Sequence, residues 1–75
     1  MNVVATAAWG GLRVTWNEWD DAAIEGMWHI ELKDDYFDNG WHVVHRFGRW
    51  DVVRRWWHQN NGRDLGSLPR KASRV

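Results

Sequence analysis

The chain has no cysteine, one proline, two serines (Ser67 and Ser73) and no apolar run near the length of a membrane span. Each shortage excludes something. Without thiols there are no disulfides and no thiolate metal sites, which is compatible with a reducing compartment. Both serines stand near the C-terminal end and no cysteine replaces them, so a nucleophilic triad has no starting point. No glycine-rich phosphate loop is present. A membrane helix needs about 20 apolar residues and none are available. "MNVVATAAW" lacks the basic start of a signal peptide, so a cytoplasmic protein without membrane contact is expected.

What is present is tryptophan, eight residues in a chain of 75. A domain of this size buries only about 60% of its unfolded surface and is marginal without a staple. Each buried indole removes about 150–250 Å² from water, so the indoles are the natural substitute. The formal net charge is zero but unevenly placed. Residues 1–40 carry eight acids against Arg13 and Lys33, a net of −6; residues 41–75 carry eight bases against Asp51 and Asp64, a net of +6. Such a chain either folds its halves onto one another or presents a dipolar surface to a partner.

"VVATAAW" and "LRVTW" flank Gly10-Gly11, a two-residue hairpin signal. A tight turn there sets Trp9 opposite Leu12, Ala7 opposite Val14 and Ala5 opposite Trp16. "NEWDDAAIEG" at 17–26 starts with a good N-cap, Asn17, and acids in its first turn; it reads as a two-turn helix or an acidic loop. "MWHIEL" places Trp28, Ile30 and Leu32 on one side. "WHVVHRF" places Trp41, Val43 and Phe47 on one side and His42 and Arg46 opposite, with His42 and His45 on different faces. Keeping both apolar faces together requires opposed residue numbers that sum to an odd value. A sum of 79 uses the tight Asn39-Gly40 turn; a sum of 75 uses a longer loop, with Ile30 facing His45 and Leu32 facing Val43.

"RWDVVRRWWHQN" at 49–60 is amphipathic. With Trp50 at zero on a helical wheel, Val52, Trp56, Val53 and Trp57 fall within an arc of about 160°, as a core-docked helix requires. Asn60-Asn61-Gly62 ends it. The expected architecture is α+β: a small antiparallel sheet of three to four strands, built from two hairpins and packed on one face by a C-terminal amphipathic helix. Residues 1–62 form a single domain, and residues 63–75 a basic, flexible tail.

"WHVVHRFGRWDVV" at 41–53 resembles the strand-to-helix junction of phosphoinositide-binding phox-homology domains, with Trp41, Val43, Arg46, Phe47, Trp50 and Val53 at that junction's spacing. The resemblance implies an inositol-phosphate contact through Arg46 and Phe47. That family's proline-rich loop is missing, a histidine stands at one usual basic position, and the chain is short for that fold, so membership is not adopted.

Asp34, Asp35 and Asp38 stand among turn formers and read as turn residues rather than a catalytic or calcium site. The four histidines lack the spacing of a zinc site. No cofactor is implied. The expectation is a non-enzymatic binding module acting through a protein–protein surface, self-association as a homodimer included. The alternative is nucleic-acid binding through the arginine- and tryptophan-rich C-terminal half. In either case the binding residues would be Arg46, Arg49, Trp50, Arg54, Arg55, Trp56 and His58.

Overall fold

The computed structural model describes residues 2–18 and 27–67. They form a four-stranded antiparallel sheet in the order β1-β2-β3-β4, followed by one helix. The strands are β1 (Asn2–Thr6), β2 (Leu12–Asn17), β3 (Met27–Lys33) and β4 (Trp41–Phe47), and the helix α1 is Trp50–Asn61.

β2 and β3 pair without irregularity: Leu12 opposes Leu32, Val14 opposes Ile30 and Trp16 opposes Trp28. These six side chains share one face because residues directly opposite in a ladder point the same way. Val14, Trp28 and Ile30 are buried with Val53 and Trp57 of α1 in a single cluster. The Trp28 ring lies 4.7 Å from both the Trp16 and Trp50 rings, tilted against each. The wheel placed Val53 and Trp57 inward, and they are the buried residues of the helix. α1 ends at Gly62, whose positive φ of 68° suits a residue without a Cβ and lets its N–H donate to the His58 carbonyl at 2.8 Å.

The first hairpin differs from expectation. Ala5 opposes Val14 and Thr6 opposes Arg13, a slip of two residues from the expected register. The Gly10-Gly11 pair is not a two-residue turn. Gly10 N–H donates to the Ala7 carbonyl, and Ala7 N–H closes the loop on the Leu12 carbonyl, each at 2.9 Å. The reason lies in the side-chain period: a slip of two keeps Ala5 and Ala7 on the Val14 face while freeing Trp9 from the strand. Trp9, expected in the core, is 66% exposed. A bulge at Val4 ends the regular pairing, so Val3 opposes Thr15 on the other face.

The second hairpin starts in the 75 register: Trp28 opposes Phe47 and Ile30 opposes His45. A bulge at Val44 then shifts the ladder, so that Glu31 opposes Val43, Leu32 opposes His42 and Lys33 opposes Trp41. The expected pairing of Leu32 with Val43 fails for this reason. Trp41 and Val43 turn to the face of Arg13 and Glu31, while His42 and His45 come onto the same face as Phe47. One extra residue inverts alternation on one side of itself, and no parity argument survives it. Asn17, expected to cap a helix, is the last residue of β2 and opposes Met27. The helix or loop expected beyond it falls mostly on residues 19–26, which lie outside the described residues.

Candidate functional site

The seven residues nominated from the sequence divide into two groups. Trp50 and Trp56 are half-buried and belong to the packing of the domain. Trp50 lies against Trp28, and its indole N–H donates to the Gly66 carbonyl at 2.9 Å. Trp56 lies against His45, with ring centroids 5.2 Å apart. Arg46 is exposed on β4, opposite His29. Arg49, Arg54, Arg55 and His58 are exposed on α1 or just before it. Arg49 is bound at both Nε and Nη2 by the Asp51 carboxylate, at 3.0 and 2.9 Å. Arg54 is bound the same way by Asp64, with Nη2 at 2.6 Å. The Arg54 guanidinium, helped by the Gly66 N–H, holds the Asp64 carboxyl well below the usual carboxylate range. In turn Asp64 raises the Arg54 pKa. Arg54, Arg55 and His58 line a shallow depression of about 300 Å³, together with Asp51 and Asp64. The helix surface is therefore mixed in sign.

The segment after α1 stays on the domain for its first residues. Leu65 packs against the core, and Asp64 and Gly66 make the contacts just described. The tail expected from residue 63 thus opens with a strap across Trp50.

The other sheet face carries a buried polar group. Glu31 accepts from Arg13 Nε at 2.8 Å and from the Thr15 hydroxyl at 2.9 Å, and Asn17 donates to Thr15 Oγ1 at 2.9 Å. The Arg13 guanidinium lies 3.9 Å from the centre of the Trp41 ring, a cation–π contact made possible by the Val44 bulge. Among the described residues no group of three or more His, Cys, Asp or Glu side chains could hold a metal ion. His42 and His45 share a face but are occupied by rings: His42 stacks on Phe37 at 4.6 Å and His45 on Phe47 at 5.7 Å. No helix of the described residues is long and apolar enough to cross a membrane.

The exposed aromatics lie elsewhere, at the end of the sheet where the two hairpin loops meet. The Lys33 N–H donates to the Gly11 carbonyl at 2.8 Å, joining the loops. Here Tyr36 is 97% exposed, and Phe37, Leu32 and Trp9 are exposed large apolar residues as well. The loop of residues 34–40 is closed by hydrogen bonds. Asp34 N–H donates to the Gly40 carbonyl, Phe37 N–H to Asp34 and Gly40 N–H to Phe37. The side chains of Asp34 and Asn39 accept from Tyr36 N–H and Trp41 N–H, each at 3.0 Å. Of the three aspartates, Asp34 thus helps to build the turn, as placement among turn formers indicated. Trp9, Gly10, Gly11, Lys33 and Asp35 enclose a second depression of about 390 Å³. Sequence reasoning missed this end of the sheet because it assigned Trp9 to a strand and treated "DDYFD" as punctuation. The exposed pair Tyr36-Phe37 between aspartates was the available signal.

No family model matches the chain, and no curated protein or solved structure matches it either.

Proposed function

We propose that this protein is a non-enzymatic binding module and that the loop of residues 34–40 is its protein-binding surface. Tyr36, 97% exposed on a loop whose backbone hydrogen bonds are closed, carries the reading. A large aromatic held in water on a preformed loop costs little further order on docking, and tyrosine is enriched among the residues that dominate interfaces. Asp34, Asp35 and Asp38 surround it, so the fitting partner offers an apolar pocket with a basic rim. A second copy of the chain meets the charge requirement through its +6 half. Self-association through this loop also agrees with the sheet edges. Both edge strands, β1 and β4, carry a bulge, a common device against edge-to-edge pairing.

The nucleic-acid reading has less support, because the two carboxylates that bind Arg49 and Arg54 compete with phosphate for the same donors. Affinity capture from lysate, with and without nuclease, compares the two. The expected result is a defined protein partner, retained after nuclease and lost from a Tyr36→Ala/Phe37→Ala variant with an unchanged thermal melt. Capture that depends on nucleic acid, or that ignores the double substitution, would overturn the proposal.

A further inference from the structure

We infer that the depression beside Trp9 is a binding site for a neutral, polyhydroxylated ring of the pyranose type. Trp9 is the platform. It is 66% exposed and lies against the glycine backbone: a Cβ on Gly11 would collide with its six-membered ring. That backbone is fixed by the Ala7–Gly10 and Ala7–Leu12 hydrogen bonds and by the Lys33 N–H on the Gly11 carbonyl. An indole already against that backbone loses little freedom when a ligand stacks on its open face. The ring face is electron-rich and attracts the slightly positive C–H face of a saturated ring.

The polar residues select the class of ligand. Lys33 and Asp35, of opposite charge, are both lining residues of the depression, and the Lys33 ammonium, now 5.8 Å from the centre of the Trp41 ring, would turn toward a bound ligand. A net anion meets Asp35 and a net cation meets Lys33. A hydroxyl both donates and accepts, so a vicinal pair can give a hydrogen bond to the carboxylate and take one from the ammonium. A purely aromatic ligand would stack on Trp9 but leave both charges unanswered. The volume, about 390 Å³, lies within the range of small-molecule sites, roughly 300–1,000 Å³. Its shallow form predicts weak binding, with a dissociation constant on the order of millimolar. This site shares Asp35 with the proposed protein-binding loop but does not rest on that proposal, since Tyr36, which carries it, is not among the lining residues.

The test is a titration of the isotope-labelled full chain followed by the Trp9 indole N–H resonance, assigned by its loss in Trp9→Phe, and by the backbone amides of Gly10 and Gly11, which line the depression and remain in every variant. The probes are methyl glucoside, methyl galactoside, methyl mannoside, cellobiose and, as a zwitterion, L-phenylalanine. At least one sugar should give a saturable shift. Affinity should fall about tenfold or more in Trp9→Ala, drop severalfold in Asp35→Asn and stay unchanged in Gln59→Ala, at an exposed position of α1. Trp9 and Asp35 are both exposed, and thermal melts of the variants confirm folding. No saturable shift with any sugar up to about 100 mM would overturn the inference. So would a response that survives Trp9→Ala, or one produced by L-phenylalanine alone.

Discussion

Glu31 holds a negative charge at 3% exposure in the middle of a sheet. It is tolerable because Arg13 Nε and the Thr15 hydroxyl donate to it and because the Trp41 ring shields the guanidinium. Removing one member of a buried pair strands the other, so Glu31→Ala should destabilise the protein by about 3–5 kcal/mol in urea unfolding. The double replacement Arg13→Met/Glu31→Leu should cost far less than the sum of the single changes. Additive costs would mean that the pair is not coupled. On the opposite face, Trp57 is 2% exposed and its truncation to Ala should cost about 3–5 kcal/mol. Arg55→Ala, on the outer side of the same helix, should stay within about 0.5 kcal/mol. Equal effects at the two positions would contradict the packing of α1.

At the scale of elements, α1 is tied down at its solvent side by the residues that follow it. Trp50 donates to the Gly66 carbonyl and Arg54 grips Asp64, so residues 64–66 form a strap. The pH dependence of this strap follows from the depressed Asp64 carboxyl. A group whose folded pKa lies below its unfolded value contributes stability that is complete above the unfolded value. That stability is lost as the pH falls through the folded one. The strap should therefore hold from neutral pH down through 3.8, the ordinary aspartate value, and loosen only in stronger acid. Carboxyl NMR of Asp64 should show a titration well below that value in the native chain and a return toward it in Arg54→Ala. The Trp50 indole N–H should exchange faster with solvent in the same variant. An unmoved Asp64 titration would refute the grip.

For the whole molecule, the question is what meets the uneven charge. Arg13–Glu31 lies wholly in the acidic half, and Arg49–Asp51 and Arg54–Asp64 wholly in the basic half. These three contacts each stay within one half, and Arg46 of the basic half has an interaction besides them. A second copy offers a contact between halves, with the acidic loop of one protomer against the basic half of the other. Sedimentation equilibrium at tens of micromolar should show a dimer that weakens as salt shortens the screening length to below about 8 Å. A mass of 8.9 kDa at both low and high salt would remove self-association and leave a different protein as the partner.

Composition, alternation and the wheel determined the plan of a small antiparallel sheet of three to four strands with a C-terminal helix. They placed Val14, Trp28, Ile30, Val53 and Trp57 in one core and ended the helix at Gly62, because period and capping are local properties of the chain. They also placed a turn between β3 and β4 but left it open between a tight Asn39-Gly40 turn and a longer loop. What they could not determine is where the ladders slip. A bulge costs one residue and has no strong local signature, yet the one at Val44 sends Trp41 over Arg13 and brings His42 to the core face. The two-residue slip of the first hairpin keeps its apolar face intact, so pattern alone cannot detect it, and it is this slip that leaves Trp9 in solvent on Gly11. The nominated arginines were legible as a basic helix face, but the carboxylate partner of Arg54, Asp64, depends on the docking of residues 64–66. Which aromatics are core and which are surface was decided by tertiary register. Register is set by the summed packing of both faces, and no stretch of sequence contains that sum.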